Sequence, residues 1–263
     1  VRNWIKAIVL SVLPMAASAQ DTGLKSLETS DSGRQWMAVG RLDIDGTGFC
    51  TGALISPTLV LTAAHCLFEK HTKTRIDPSR IEFLAGWRRG SASAYRPARQ
   101  AVIHPKYVYN GRATSDRVRY DLALIELWQP VRNTTVIPFE TGARPDQGEQ
   151  VGVVSYAHDR AEAPSLQQVC SVMAGHRGVL VMSCDVDFGA SGAPIFSLSG
   201  ERPRIVSVVS AKAELNGENV SLGTALDGSL QLLQAELSNG NGFGLSSGST
   251  GSGKNVGARF IRP

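Results

Sequence analysis

From Gln35 onward the chain is a succession of short apolar runs, each cut by Gly, Pro, Asn or Asp before a helix can develop. Ala53-Leu54-Ile55, Leu59-Val60-Leu61, Ile81-Glu82-Phe83-Leu84 and Leu122-Ala123-Leu124-Ile125 belong to the first set. Trp36-Met37-Ala38-Val39 leads into Asp43-Ile44-Asp45-Gly46 and reads as strand then turn. A second set starts near Gln150: Val151-Gly152-Val153-Val154-Ser155, residues 168–173, residues 179–184, Pro194-Ile195-Phe196 and Ile205-Val206-Ser207-Val208-Val209. Such runs, recurring every ~8–12 residues with turn signals between them, are the signature of an all-β barrel or sandwich. Residues 137–148 carry Pro138, Gly142, Pro145 and Gly148 and read as a linker between the sets. Only residues 63–70 look like a helical turn before Asp121. Near the C-terminus Leu230, Leu233 and Leu237 line one face of a helix over residues 229–238, expected to pack on the second set.

The ends of the chain have a different character. Arg2 and Lys6 make a basic start, residues 7–13 are apolar, and Ala17-Ser18-Ala19 offers a small-x-small cleavage site. The pattern reads as a secretory signal peptide over residues 1–19, and so as a secreted or periplasmic protein. The apolar stretch is shorter than the ~20 residues a bilayer span needs, and no membrane span is expected. A non-standard bacterial start codon would account for Val1, and so would a missing first residue. Residues 20–33 are polar and read as an N-terminal segment, a candidate for a removable pro-segment. Residues 239–263 form a Gly/Ser-rich tail, of which residues 239–257 are expected to be a flexible linker and residues 259–263 are less polar. Within it Gly248-Ser249-Thr250-Gly251-Ser252-Gly253-Lys254 imitates a phosphate-binding loop. Asn255 stands where a magnesium-binding hydroxyl belongs, and no strand precedes it. Nucleotide binding is therefore not expected.

Four cysteines suit an oxidising compartment and allow three pairings. Zinc is the rival use, with Cys50, His65 and Cys66 as ligands. No CxxC pair supports it, and no metal or other cofactor is expected. The net charge of +4 is concentrated: from Lys70 to Arg119 basic residues far outnumber acidic ones. Such a field attracts acidic partners, although solvated loops are the simpler reading. Aromatic interleaving of the kind that single-stranded nucleic acid needs is missing.

Three stretches carry chemistry, in the order His, Asp, Ser: Leu61-Thr62-Ala63-Ala64-His65-Cys66, Tyr120-Asp121-Leu122-Ala123-Leu124 and Gly189-Ala190-Ser191-Gly192-Ala193-Pro194. A serine hydroxyl is a weak nucleophile until a base lies within hydrogen-bond reach, and the base in turn needs a carboxylate to set its tautomer. His71, His104, His158 and His176 compete for the base, but their flanks are turn-like or charged. Asp116 competes with Asp121 from a polar, charged setting.

These blocks resemble the trypsin/chymotrypsin family of serine endopeptidases. So does the run Phe49-Cys50-Thr51-Gly52-Ala53-Leu54-Ile55-Ser56 that precedes the His block. The resemblance covers roughly residues 34–237. It implies two six-stranded antiparallel β-barrels, over residues 34–136 and 151–238, with residues 137–150 linking them and the active site in the cleft. His65 would be the general base, Asp121 its orienting carboxylate and Ser191 the nucleophile, with the N–H groups of Gly189 and Ser191 as oxyanion hole. Peptide or protein substrates follow, with the chain as a monomer and a non-catalytic, protease-like binding protein as the alternative. The resemblance also selects Cys50–Cys66, and hence Cys170–Cys184.

Ala190 replaces the Asp that many animal members use to capture a freed N-terminus. Activation by that ion pair is excluded, and chains beginning at Gln20, Leu24 or Arg34 are expected to turn over alike. Cys184-Asp185-Val186-Asp187-Phe188-Gly189 resembles the bacterial glutamyl-endopeptidase branch. Asp185 stands where trypsin keeps its pocket Asp. Val186 and Val209 stand where glutamate-selective members offer a hydroxyl and a His, so neither specificity is secured. Ser210-Ala211-Lys212 would pair with substrate backbone, leaving Lys212 to meet an acidic side chain or to face solvent.

Overall fold

The computed structural model describes residues 23–109 and 114–244. The expected signal peptide and the loop-like sequence near Lys254 lie outside them. In chain order the elements are β1 (Leu24–Ser26), α1 (Ser30–Gly33), β2 (Val39–Ile44), β3 (Gly48–Ser56), β4 (Leu59–Thr62), β5 (Ile81–Ala85), β6 (Ala94–Ile103), α2 (Ser115–Arg119) and β7 (Ala123–Leu127). They continue with β8 (Gln150–Ala157), β9 (Arg160–His176), β10 (Val179–Met182), β11 (Pro194–Ser197), β12 (Arg204–Leu215), β13 (Glu218–Ala225), α3 (Ser229–Ser238) and β14 (Phe243–Gly244).

Two antiparallel sheets each close on themselves. The first runs β6-β5-β2-β3-β4-β7, with β7 returning to β6; the second runs β9-β10-β13-β12-β11-β8, with β8 returning to β9. Closure pairs the two end strands of each barrel with one another, where an open sheet would leave them as edges. Inside the first barrel Leu42, Leu54, Val60, Phe83 and Leu124 are buried; inside the second Val153, Leu180, Met182, Ile195 and Val209 are. The two six-stranded barrels expected from the sequence are therefore present. A three-ring cluster joins them: Trp36, just past α1, lies 4.9 Å from Phe196 of β11, and Phe139 of the linker lies 4.7 Å from the same ring. The linker is tied down as well. Phe139 N–H donates to Leu54 O at 2.9 Å, and Gly142 N–H to Ile205 O at 2.8 Å.

The chain ends depart from the expectations. Residues 24–33, expected as a polar N-terminal segment, are built into the body. Strand β1 adds a seventh strand to the second barrel, with Leu24 opposite Gln167 and Ser26 opposite Ser165. Leu27 is buried. Arg88 of the first barrel donates from Nε to Leu27 O at 2.7 Å and from Nη2 to Gly33 O at 3.3 Å. Composition hid this, because one buried Leu and a row of backbone bonds leave a segment looking polar. Deleting the chain through Gly33 is expected to cost at least ~3 kcal/mol, from burial of one Leu and two charge-assisted bonds. That corresponds to a fall in Tm of roughly 6–12 °C for a body of this size. Calorimetry finding an unchanged Tm would reduce the segment to an appendage.

Helix α3 packs chiefly on the first barrel, against β6 and β7, where the second was expected. Leu230 and Leu233 join the large core cluster that contains the first barrel's interior. The 3.6-residue period identified the apolar face correctly but says nothing about which surface covers it. The tail also starts later than expected. Phe243 pairs with Ala101 of β6, and the Arg75 guanidinium lies 4.9 Å from its ring centroid.

Candidate active site

His65 sits on a single 3₁₀ turn, Ala64–Leu67, between β4 and the loop to β5. The disulfide Cys50–Cys66 ties this turn to β3. Asp121 follows α2, whose N-cap is Thr114: its side chain accepts from Arg117 N–H. Thr224 of β13 reaches across from the second barrel and donates to Val118 O at 2.5 Å. The carboxylate is thus placed at the seam between the barrels.

Asp121 is 1% exposed, and a buried carboxylate is costly unless its oxygens are satisfied. Three donors satisfy it. Oδ1 accepts from His65 N–H at 2.8 Å, and Oδ2 accepts from His65 Nδ1 at 2.6 Å and from Ser210 Oγ at 2.5 Å. An ionised carboxylate only accepts, so the imidazole proton is assigned to Nδ1 and the Nε2 lone pair is free to act as a base. Sequence reading placed Ser210 on the substrate-binding strand and missed this bond. A lone hydroxyl on a strand carries no local mark of a partner 89 positions away. Cys50, His65 and Cys66 do bring their donor atoms within 4.8 Å of one another. Both sulfurs are joined in the disulfide, so there is no thiolate to ligate a metal.

The Ser191 loop is clamped between the barrels. Thr51 N–H donates to Ser191 O and Thr51 Oγ1 to Gly189 O, both at 2.9 Å, while Gly192 N–H donates to Val209 O at 2.9 Å. A Cβ on Gly192 would lie 2.1 Å from Thr62 Oγ1 and 3.0 Å from Ala63 N, so only glycine lets the loop press on the stretch leading into His65. Cys170–Cys184 braces the approach to the loop from β9. Ala190 is fully buried with Val186, Ala193 and Val209 in the second barrel's core. Apolar packing holds this position where an ion pair would otherwise be needed.

Among the described residues, neither Gly189 N–H nor Ser191 N–H donates a hydrogen bond. Two uncommitted donors flank the hydroxyl, the arrangement that stabilises a developing oxyanion. No bond joins Ser191 Oγ to His65 Nε2 among the described residues. Such bonds are often long in a resting site and tighten around substrate. Gly189 has φ +98°, and a Cβ there would stand 2.5 Å from the Phe49 ring and 3.0 Å from Ala157 Cα. Gly189→Ala is therefore expected to turn its peptide and lower kcat by about 10²–10³-fold, the cost of one oxyanion donor. Steady-state kinetics showing less than a tenfold loss would remove Gly189 from the site.

The remaining predicted residues divide. Val186 and Val209 are buried and contribute packing rather than a polar pocket. Asp185 and Lys212 are half-exposed and face each other, Nζ to Oδ1 at 3.7 Å. Asp185 N–H also donates to Gln167 Oε1 at 2.8 Å. Phe188, passed over in the sequence, is 79% exposed immediately before Gly189. An aromatic left in solvent beside a reactive loop is the kind of signal that becomes visible only once burial is known.

The family model described as Trypsin matches residues 26–225. Serine protease 23 of Mus musculus is 30% identical over 171 residues, which is 59% of this chain and 44% of that protein. Glutamyl endopeptidase of Bacillus licheniformis is 25% identical over 171 residues, 65% of this chain and 52% of that protein. The chain thus spans about half the length of these curated relatives. A solved structure of Glu endopeptidase in complex with MPD superposes with a TM-score of 0.68 at 17% identity, over 83% of this chain and 98% of that one. With the two closed barrels and the seam between them, the matched span of residues 26–225 establishes that this chain belongs to the trypsin family.

Proposed function

We propose that this protein is an exported serine endopeptidase that cleaves peptide bonds through a Ser191 acyl-enzyme. The observation that carries the reading is the buried Asp121 carboxylate bonded to His65 Nδ1 at 2.6 Å, which leaves Nε2 as the free base. Ser191 Oγ attacks the scissile carbonyl as His65 Nε2 takes its proton, and the oxyanion forms against the N–H groups of Gly189 and Ser191. Collapse expels the amine, which leaves with the proton from His65. Water then repeats the sequence on the ester and frees Ser191. Asp121 stays ionised throughout and stabilises the imidazolium.

Asp185 and Lys212 already partner each other, so neither offers an uncompensated charge to a substrate side chain. The reading therefore assigns no preference for a basic or an acidic residue. Export accords with two disulfides. The test is labelling of the mature protein with a fluorophosphonate probe followed by peptide mapping. Modification at Ser191 is the expected result. A protein that stays unlabelled, yet binds peptides, would be a protease-like binding protein instead.

A further inference from the structure

Away from the Ser191 loop, a cavity of about 290 Å³ opens between α2 and the two-residue turn joining β9 to β10. Its lining includes Arg119, His176, Arg177 and Asp116, with Val179 and Val181 as its apolar floor. Two features of this cleft bear on its use. First, among the described residues neither Arg119 nor Arg177 has a carboxylate partner. Both line the one cleft: the Arg119 stem packs on the turn, 3.3 Å from where a Cβ on Gly178 would lie, and its guanidinium lies over the Tyr120 ring, 5.1 Å from the centroid. Like charges lining one cleft repel unless something neutralises them.

Second, the turn is made against local preference. His176 pairs with Val179, so Arg177 and Gly178 are its two central residues, with φ +46° and +83°. That is the geometry in which Asn-Gly, Asp-Gly or Gly-Gly is favoured. Arg is uncommon in a left-handed conformation, but the same pair recurs at Arg89 and Gly90, so it is the place of Arg177 in the cleft, and not its backbone, that points to a role.

We propose that this cleft binds a tetrahedral divalent oxyanion, sulfate or phosphate, held by Arg119 and Arg177 with His176 beside it. Two guanidinium forks present more N–H donors than a carboxylate's two oxygens can use, whereas a four-oxygen dianion matches them in number and in charge. Asp116 opposes binding, since its carboxylate lines the same cleft. The bound ion bridges α2 to the β9–β10 turn and thereby braces the segment that leads directly into Asp121. Arg119 ends the strongly basic run from Lys70 to Arg119, and the peptidase reading leaves its charge unused. The site is independent of that reading.

The test uses inorganic sulfate at up to 10 mM, with chloride at matched ionic strength as control, and follows Tm. Sulfate is expected to raise the wild-type Tm by roughly 3 °C, as a ligand present well above its Kd does. Arg177→Asn is the decisive variant, because Asn suits the left-handed position and the fold should be kept or strengthened. It should lose the sulfate-dependent gain. Asp116→Asn should enlarge the gain. General salting-out by sulfate acts equally on all three proteins, so the differences between them decide. An equal gain in Arg177→Asn, no gain beyond chloride in the wild type, or no increase in Asp116→Asn would each overturn the proposal.

Discussion

Replacing Ser191 with Ala is expected to reduce peptide hydrolysis by on the order of 10⁶-fold and to abolish fluorophosphonate labelling. Only one oxygen is lost. The loop's anchors are backbone and Thr51 groups, which the substitution leaves alone: Thr51 to Ser191 O, Thr51 Oγ1 to Gly189 O and Gly192 to Val209 O. Tm should therefore hardly move, separating a chemical loss from unfolding. His65→Ala should fall nearly as far, because the two groups act as a unit and removing either leaves the other idle. It should also lower Tm, since Asp121 Oδ2 then keeps only Ser210 as a side-chain donor while the backbone bond to Oδ1 survives. Undiminished turnover by purified Ser191→Ala protein would place the chemistry elsewhere.

Asp121→Asn should lower kcat by roughly 10⁴-fold, because an amide facing His65 Nδ1 can donate and so stabilises the wrong tautomer. The carboxylate now binds three donors, and Asn offers one acceptor oxygen in place of two. With the amide nitrogen in the place of Oδ2, His65 Nδ1 and Ser210 Oγ can meet it only as acceptors. Ser210→Ala provides the contrast. It removes a single donor, leaves both His65 bonds and is expected to fall well short of the Asp121→Asn loss. Kinetics on the pair separate the two roles: comparable losses would mean that Ser210, and not the tautomer of His65, dominates the behaviour of this carboxylate.

Much of the site was legible along the chain because its chemistry is written in short contiguous runs. The blocks around His65, Asp121 and Ser191 are each local, and the pairing of Cys50 with Cys66 and of Cys170 with Cys184 followed from the family they resemble. Gly189 and Gly192 could be picked out as places where backbone comes close, yet what they approach was not readable. Phe49, Thr62 and Ala157 lie far away in sequence. Ser210 is the sharpest case: it was assigned to substrate, and it holds Asp121.

By itself the sequence determined the two sets of short strands, the break between them, the order of the three chemical residues and the apolar face of α3. Each depends on periodicity, turn residues or a contiguous motif, and those operate over a few neighbouring positions. Only the tertiary structure decided which surfaces meet. It set α3 on the first barrel, added β1 to the second, docked Phe243 on β6, paired Asp185 with Lys212 and gathered Arg119 and Arg177 in one cleft. The physical reason is that burial and charge pairing are properties of surfaces brought together by barrel closure. A polar segment such as residues 24–33 shows in its composition neither the backbone bonds nor the single buried Leu27 that hold it in place.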